Sequence, residues 1–251
     1  MQLGPAGQRR KIDGVSVAEA NRTTQSSQHG EHAMTKPLLI IGNQNYSSWS
    51  FRAWLILAKA NIDFEVLRIP LFAPGFEIEI RKYSPAGKVP IYVEGDLSIW
   101  DTLAIAEYCA ERDPALWPST ASTRAVARAV TAEMHSGFHA LRQGLPMNCR
   151  AIGRRANLTP EVVADIARIQ GLITECRNTH ATKGPWLFGA FSIADAFYTP
   201  VMSRFRTYGI KCESAVERYL DGVMQDEKVR EWYVAARAES EIIEADEVDY
   251  S

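Results

Sequence analysis

Apolar residues in the first half of the chain follow two rhythms, one of period two and one of helical period. Leu38 to Ile41 is a short unbroken apolar run, punctuated by Gly42 and Asn43, and reads as a buried strand. Phe51, Trp54, Leu55 and Ala58 then recur at helical spacing. Phe64 to Ile69 alternates apolar with polar and predicts a second strand, and Phe76, Ile80 and Tyr83 predict a short irregular helix. Ser84 to Lys88 makes a turn, Val89 to Val93 a third strand, and Gly95-Asp96 a hairpin that sets Leu97 to Trp100 antiparallel to it. Asp101 to Glu111 reads as a helix, with Leu103, Ile105, Ala106 and Cys109 on its apolar side.

That order, βαβαββα, predicts a small mixed sheet with helices packed on it, a thioredoxin-like α/β arrangement. Asp113-Pro114 and Trp117-Pro118 end the last helix, because proline disfavours helix in the residue before it. From Thr120 no strand pattern recurs. Helical candidates run from about Ser122 to Leu145, Pro160 to His180, Ile193 to Tyr208 and Ala215 to Ala236, which predicts an all-helical bundle. The expected organisation is therefore a leader over 1–33, a thioredoxin-like domain over 34–113, a linker over 114–120 and an all-helical domain over 121–251. The leader is rich in Gln, Ser, Thr, Asn and Gly without apolar periodicity and reads as disordered, with Met34 as the functional start. Arg9, Arg10 and Arg22 hint at a transit peptide, but Asp13, Glu19 and Glu31 count against one.

Composition narrows the function classes. A net charge of -2 over 251 residues gives no basic field for a nucleic-acid partner. No apolar run reaches bilayer length, so a soluble protein without membrane attachment is expected. Cys109, Cys149, Cys176 and Cys212 lie far apart with no Cys-x-x-Cys pair; they suit a reducing cytoplasm and read as small core residues.

The segment Asn45-Tyr46-Ser47-Ser48-Trp49-Ser50-Phe51-Arg52 sets hydroxyls between the first strand and the first helix. Ser47 or Ser48 falls at the helix N-terminus, where serine serves as an ordinary N-cap and where free N–H groups and the helix dipole also favour an anion. Both readings stand. His135 and His139 are four apart, the spacing of a zinc pair, but Ser136 replaces the glutamate of a His-Glu-x-x-His site, so no metal is expected.

From Met34 to the last helix the chain resembles the soluble, bacterial-type glutathione transferases. Ser47-Ser48-Trp49-Ser50-Phe51-Arg52 is similar to the serine-type loop of the zeta and theta classes, and Gly87-Lys88-Val89-Pro90 to the loop whose proline is cis. Trp100-Asp101-Thr102-Leu103-Ala104-Ile105 resembles the family's Glu-Ser-x-Ala-Ile motif, with aspartate and threonine in place of glutamate and serine; Ser192-Ile193-Ala194-Asp195 resembles its capping box. The resemblance implies a cytoplasmic, homodimeric transferase that takes glutathione as co-substrate and adds its thiolate to a small hydrophobic electrophile. It implies that Lys88 meets the glycyl carboxylate, that Val89 before Pro90 pairs with the cysteinyl backbone, and that Asp101 and Thr102 take the glutamyl end. Ser47 by zeta spacing, or Ser48 by theta spacing, would donate to the thiolate, and the second substrate would lie among Tyr46, Trp49, Met134 and Phe138, with His135, His139, Leu141 and Arg142 as further candidates on the same stretch. Two alternatives remain. One is a maleylacetoacetate-type isomerase, weakened because Trp49 stands where that class has cysteine, and the other is a non-catalytic adaptor, opposed by the retained Ser47, Lys88 and Asp101.

Overall fold

The computed structural model describes residues 36–181 and 184–249; the leader lies outside these. Strand β1 (Leu38–Ile41) is central in a four-stranded sheet of order β2-β1-β3-β4, flanked by β2 (Glu65–Arg68) in parallel and β3 (Ile91–Glu94) antiparallel, with β4 (Leu97–Ile99) antiparallel to β3. The unbroken apolar run of β1 follows from burial on both faces. Leu39, Ile41 and Tyr92 pack on one side with α1 (Ser48–Lys59) and α3 (Thr102–Arg112), while Ile40 and Ile91 pack on the other with Ile69 and with Ile80 of α2 (Phe76–Arg81). The predicted βαβαββα order is the one observed.

A 3-10 turn, Pro114–Leu116, leads into the helical region. There the expected helix from Ser122 to Leu145 is two helices, α4 (Ala121–Ser136) and α5 (His139–Gly144). Gly137 is extended and Phe138 has φ 59°, and a Cβ on Gly137 would come within 2.8 Å of the Glu133 carbonyl. The break puts His135 and His139 on different helices. After α6 (Pro160–His180) comes α7 (Ile193–Thr207), in which every residue except Arg206 is buried. The last expected helix is likewise two, α8 (Ser214–Gln225) and α9 (Glu227–Ala238), because the Asp226 side chain accepts the N–H groups of Lys228 and Val229 and starts a new helix.

Helix α7 packs on α1 and α4 and so joins the sheet layer to the helical region. Its first turn is a capping box. Asp195 accepts from the Ser192 N–H at 2.8 Å, the Leu187 N–H at 2.9 Å, and the Ser192 and Tyr219 hydroxyls. Beyond α9 a tail with a 3-10 turn, Glu244–Asp246, returns across the loop that precedes α1. Among the described residues no helix is long and apolar enough to cross a membrane.

Candidate active site

Three chain segments meet at the N-terminal end of α1. The first is the turn from Gly42 to Ser47, closed by the Asn43 carbonyl accepting from the Ser47 N–H at 2.8 Å. Gly42 leaves room for Leu71, since a Cβ would stand 2.7 Å from that side chain and force it to shift. Ser47 is the N-cap of α1, with its oxygen accepting from the Ser50 N–H at 3.3 Å and lying 2.7 Å from the Ser50 hydroxyl. Ser50 Oγ in turn accepts from the Gly42 N–H at 3.0 Å. A hydrogen-bonded chain therefore runs from the loop backbone through Ser50 to Ser47.

The second segment is Ala86 to Pro90, where the Val89-Pro90 peptide is cis. The third is Trp100 to Thr102. Asp101 caps α3 by accepting from the Leu103 N–H at 2.8 Å, and its other oxygen lies 3.3 Å from His135 Nε2 on α4. The Thr102 hydroxyl is 3.5 Å from the Trp49 carbonyl. The Trp100-Asp101 peptide is also cis.

The second and third segments, with Trp49 of α1, enclose a cavity of about 200 Å³ lined by Trp49, Ala86, Lys88, Val89, Pro90, Trp100, Asp101 and Thr102. Lys88 and Asp101 are exposed at its rim, whereas Thr102 is buried at the start of α3. Cation, backbone edge, carboxylate and helix N-terminus together have the chemistry to suit a ligand with charged groups at both ends. Ser47 and Ser48 lie at the N-terminal end of α1, next in sequence to Trp49, and are buried rather than on the lining.

Other candidates from the sequence lie elsewhere. The Tyr46 hydroxyl donates to Glu247 at 2.5 Å and accepts from Arg150 at 2.6 Å, so its ring is held by the C-terminal tail. Burial, then the Glu247 carboxylate, pushes its pKa up. Met134 is in the core, with its carbonyl and sulfur taking Arg142, and Phe138 is buried at the start of α5. Cys109, Cys149 and Cys176 are buried, and burial pushes each thiol up to about 12. Among the described residues no cluster of His, Cys, Asp and Glu is arranged to hold a metal.

Two features have no counterpart in the sequence reading. One is Ser50, whose signal was a hydroxyl three residues after an N-cap, where a capping box carries glutamate or glutamine. The other is the stacking of Arg52 on Trp49, which joins Arg142 and His135, already expected near that ring. The guanidiniums of Arg52 and Arg142 lie 4.6 and 4.8 Å from its ring centroid, and His135 meets it edge-on at 5.3 Å.

Comparison with known proteins bears on the family and the fold. Residues 46–112 match the family model for the glutathione S-transferase N-terminal domain. A probable maleylacetoacetate isomerase of Caenorhabditis elegans is 35% identical over 97 residues, 38% of this chain and 45% of that protein. Glutathione S-transferase Z2 of Arabidopsis thaliana is 27% identical over 176 residues, 66% of this chain and 77% of its own length. A solved glutathione transferase homolog from Burkholderia, with bound glutathione, superposes with a TM-score of 0.60 at 22% identity, covering 82% of this chain and all of that one. Residues 46–112 belong to the glutathione S-transferase N-terminal domain family, and the chain around them has the glutathione transferase fold.

Proposed function

We propose that the protein binds glutathione in the cavity beside α1 and activates its thiol for attack on small hydrophobic electrophiles. The observation that carries this reading is the convergence of Lys88, Val89, Asp101 and Thr102 on one cavity at the N-termini of α1 and α3. Lys88 takes the glycyl carboxylate, the Val89 backbone the cysteinyl unit, Asp101 the glutamyl ammonium and the Thr102 N–H the glutamyl carboxylate. This assigns residues 34–113 to the co-substrate and 121–251 to the electrophile.

Ser47 holds the sulfur. We assign the proton between the two hydroxyls to Ser50, which leaves the Ser47 proton for an incoming anion. A free thiol has a pKa near 8.5, and lowering it by about two units takes about 2.7 kcal/mol of preference for the thiolate. One hydrogen bond to a charged group supplies roughly 1.5 to 3 kcal/mol and a helix N-terminus roughly 0.3 to 1 kcal/mol. The serine donates and is never deprotonated, so the thiol proton passes to solvent. The sulfur lone pair then forms the bond to carbon, displacing a leaving group or placing charge on an activated double bond that water protonates.

Isothermal calorimetry with glutathione and thiolate absorbance against pH test this. Glutathione should bind, with a thiol pKa well below that of the free tripeptide, and Ser47→Ala should raise it by about one unit. Absence of binding would sink the reading. A second reading, glutathione-dependent isomerisation, draws on the name of the C. elegans relative; turnover of maleylacetone but not of aryl halides would favour it. By the same resemblance the enzyme works as a cytoplasmic homodimer, and light scattering at twice the 28.0 kDa chain mass is the expected result.

A further inference from the structure

Three arginines from three helices converge near the N-terminal end of α1 without a carboxylate in hydrogen-bond contact. Arg52 of α1 and Arg204 of α7 are buried, and Arg142 of α5 is half-buried. Their hydrogen bonds go to the carbonyls of Phe197, Gly137, Met134, Leu145 and Pro200, to the Met134 sulfur and to the Ser48 hydroxyl. None of these partners is a carboxylate, and Arg52 Nη2 is buried with no partner. Burial, then the neighbouring arginines, pushes the Arg52 pKa well down, and burial with Arg142 beside it brings Arg204 down to about 10. Asp165 of α6 faces Arg142, and Asp246 of the C-terminal 3-10 turn, Cys149 and Tyr208 face Arg204, all acting through space. Across Trp49, His135 of α4 is paired with Asp101. Burying cations without contacting anions is strongly unfavourable, so a cluster retained in this form is a candidate for function.

Ser48, buried beside the cavity rather than on its lining, ties the cluster to the N-terminal end of α1. Its oxygen accepts from Arg52 Nη1 at 3.4 Å and from Arg204 Nη2 at 3.3 Å, which leaves the hydroxyl proton free to donate. Donors on a hydroxyl oxygen polarise the O–H bond and strengthen the hydrogen bond it gives. Ser48 is the first residue of α1, between the Ser47 cap and Trp49 of the cavity wall.

We propose that Arg52 and Arg204 act through Ser48 as the standing counter-charge of the bound thiolate, making Ser48 a second donor to the sulfur beside Ser47. The inference rests on the glutathione reading above. Arg52 and Arg204 are positioning residues, since neither reaches the cavity.

The test measures the pKa of the bound thiol by ultraviolet absorbance of the full chain at saturating glutathione. Wild type is compared with Ser48→Ala, Arg204→Gln, their combination and Arg204→Lys. Gln keeps an N–H for the Leu145 and Pro200 carbonyls and removes the charge, and Lys keeps the charge. Ser48→Ala and Arg204→Gln should each raise the pKa by about one unit, with the pair shifting no further than the larger single change. Arg204→Lys should restore most of the shift, and affinity for S-methylglutathione, which has no thiol to ionise, should stay within about threefold throughout. Arg142→Gln, at a half-buried site more tolerant of change, is the arm that survives if Arg204→Gln does not fold. It takes a charge from the same cluster without touching Ser48 and should give a smaller upward shift. An unchanged pKa in the arginine variants, or an Arg204→Gln shift that adds in full to that of Ser48→Ala, overturns the proposal while leaving the glutathione reading intact. No glutathione binding by wild type overturns both.

Discussion

Ser50 backs Ser47 from inside the first turn of α1 and fixes which way its hydroxyl faces. Its oxygen accepts from the Gly42 N–H and lies 2.7 Å from Ser47 Oγ, and with the shared proton assigned to Ser50 the Ser47 proton is turned outward. Ser50→Ala removes both links and leaves a buried N–H without an acceptor, so a stability loss of about 1 to 3 kcal/mol is expected in urea denaturation. The bound-thiol pKa should rise with it, by less than in Ser47→Ala, because Ser47 then keeps its proton for the sulfur only part of the time. If Ser50→Ala leaves that pKa where it was, the donor chain plays no part in activation. The sequence made Ser47 legible as a cap because its position before an apolar helical repeat is local information. Ser50, Arg52 and Arg204 were not legible as partners, since their roles depend on the Gly42 turn and on α7, which lies about 150 residues away along the chain.

At the level of elements, the C-terminal tail does the work of a strap on the loop before α1. The Glu239 carboxylate accepts the N–H groups of Gln44 at 2.7 Å and Asn45 at 3.1 Å, and the Trp232 indole donates to the Gln44 carbonyl at 3.0 Å. Arg150 ties the strap down from the other side, donating to the carbonyls of Glu239 and Glu241 and to the Tyr46 hydroxyl. Glu239→Gln keeps one acceptor oxygen but turns an amide N–H toward a backbone donor. The expected cost is about 1 to 3 kcal/mol, together with weaker glutathione binding, because the loop that ends in Ser47 loses half of its anchor. Calorimetry on the folded variant checks it, and unchanged affinity with unchanged melting would show that the strap does not set the loop. Strand order and the hairpin at Gly95-Asp96 were readable because they rest on local periodicity and turn chemistry. The breaks at Gly137 and Asp226 were not, because apolar spacing continues through both, and only the observed backbone of Gly137 and Phe138 and the new cap at Asp226 reveal them.

For the molecule as a whole, α7 is the shared wall of both layers, so the state of its cap is a lever on global stability. Burial pushes the Asp195 carboxyl up to about 6, against the pull of the Leu187 and Ser192 N–H groups and the Ser192 and Tyr219 hydroxyls. A pKa raised by folding means that the folded state holds the proton more tightly than the unfolded chain. The contribution is therefore fully present below the unfolded value of about 3.9 and is lost as pH rises through about 6. A shift of about two units corresponds to about 3 kcal/mol across that window. Asp195→Asn cannot titrate, so it isolates this group from carboxylates such as Glu94, which Arg112 holds below the ordinary range and which lose stability in the opposite direction, as pH falls. Wild-type stability minus that of Asp195→Asn, from urea denaturation, should drop by about 2 to 3 kcal/mol between about pH 4 and pH 7. A flat difference would mean that the four hydrogen bonds outweigh burial and keep Asp195 ionised throughout, in which case the cap of α7 is a carboxylate at every pH where the protein is folded.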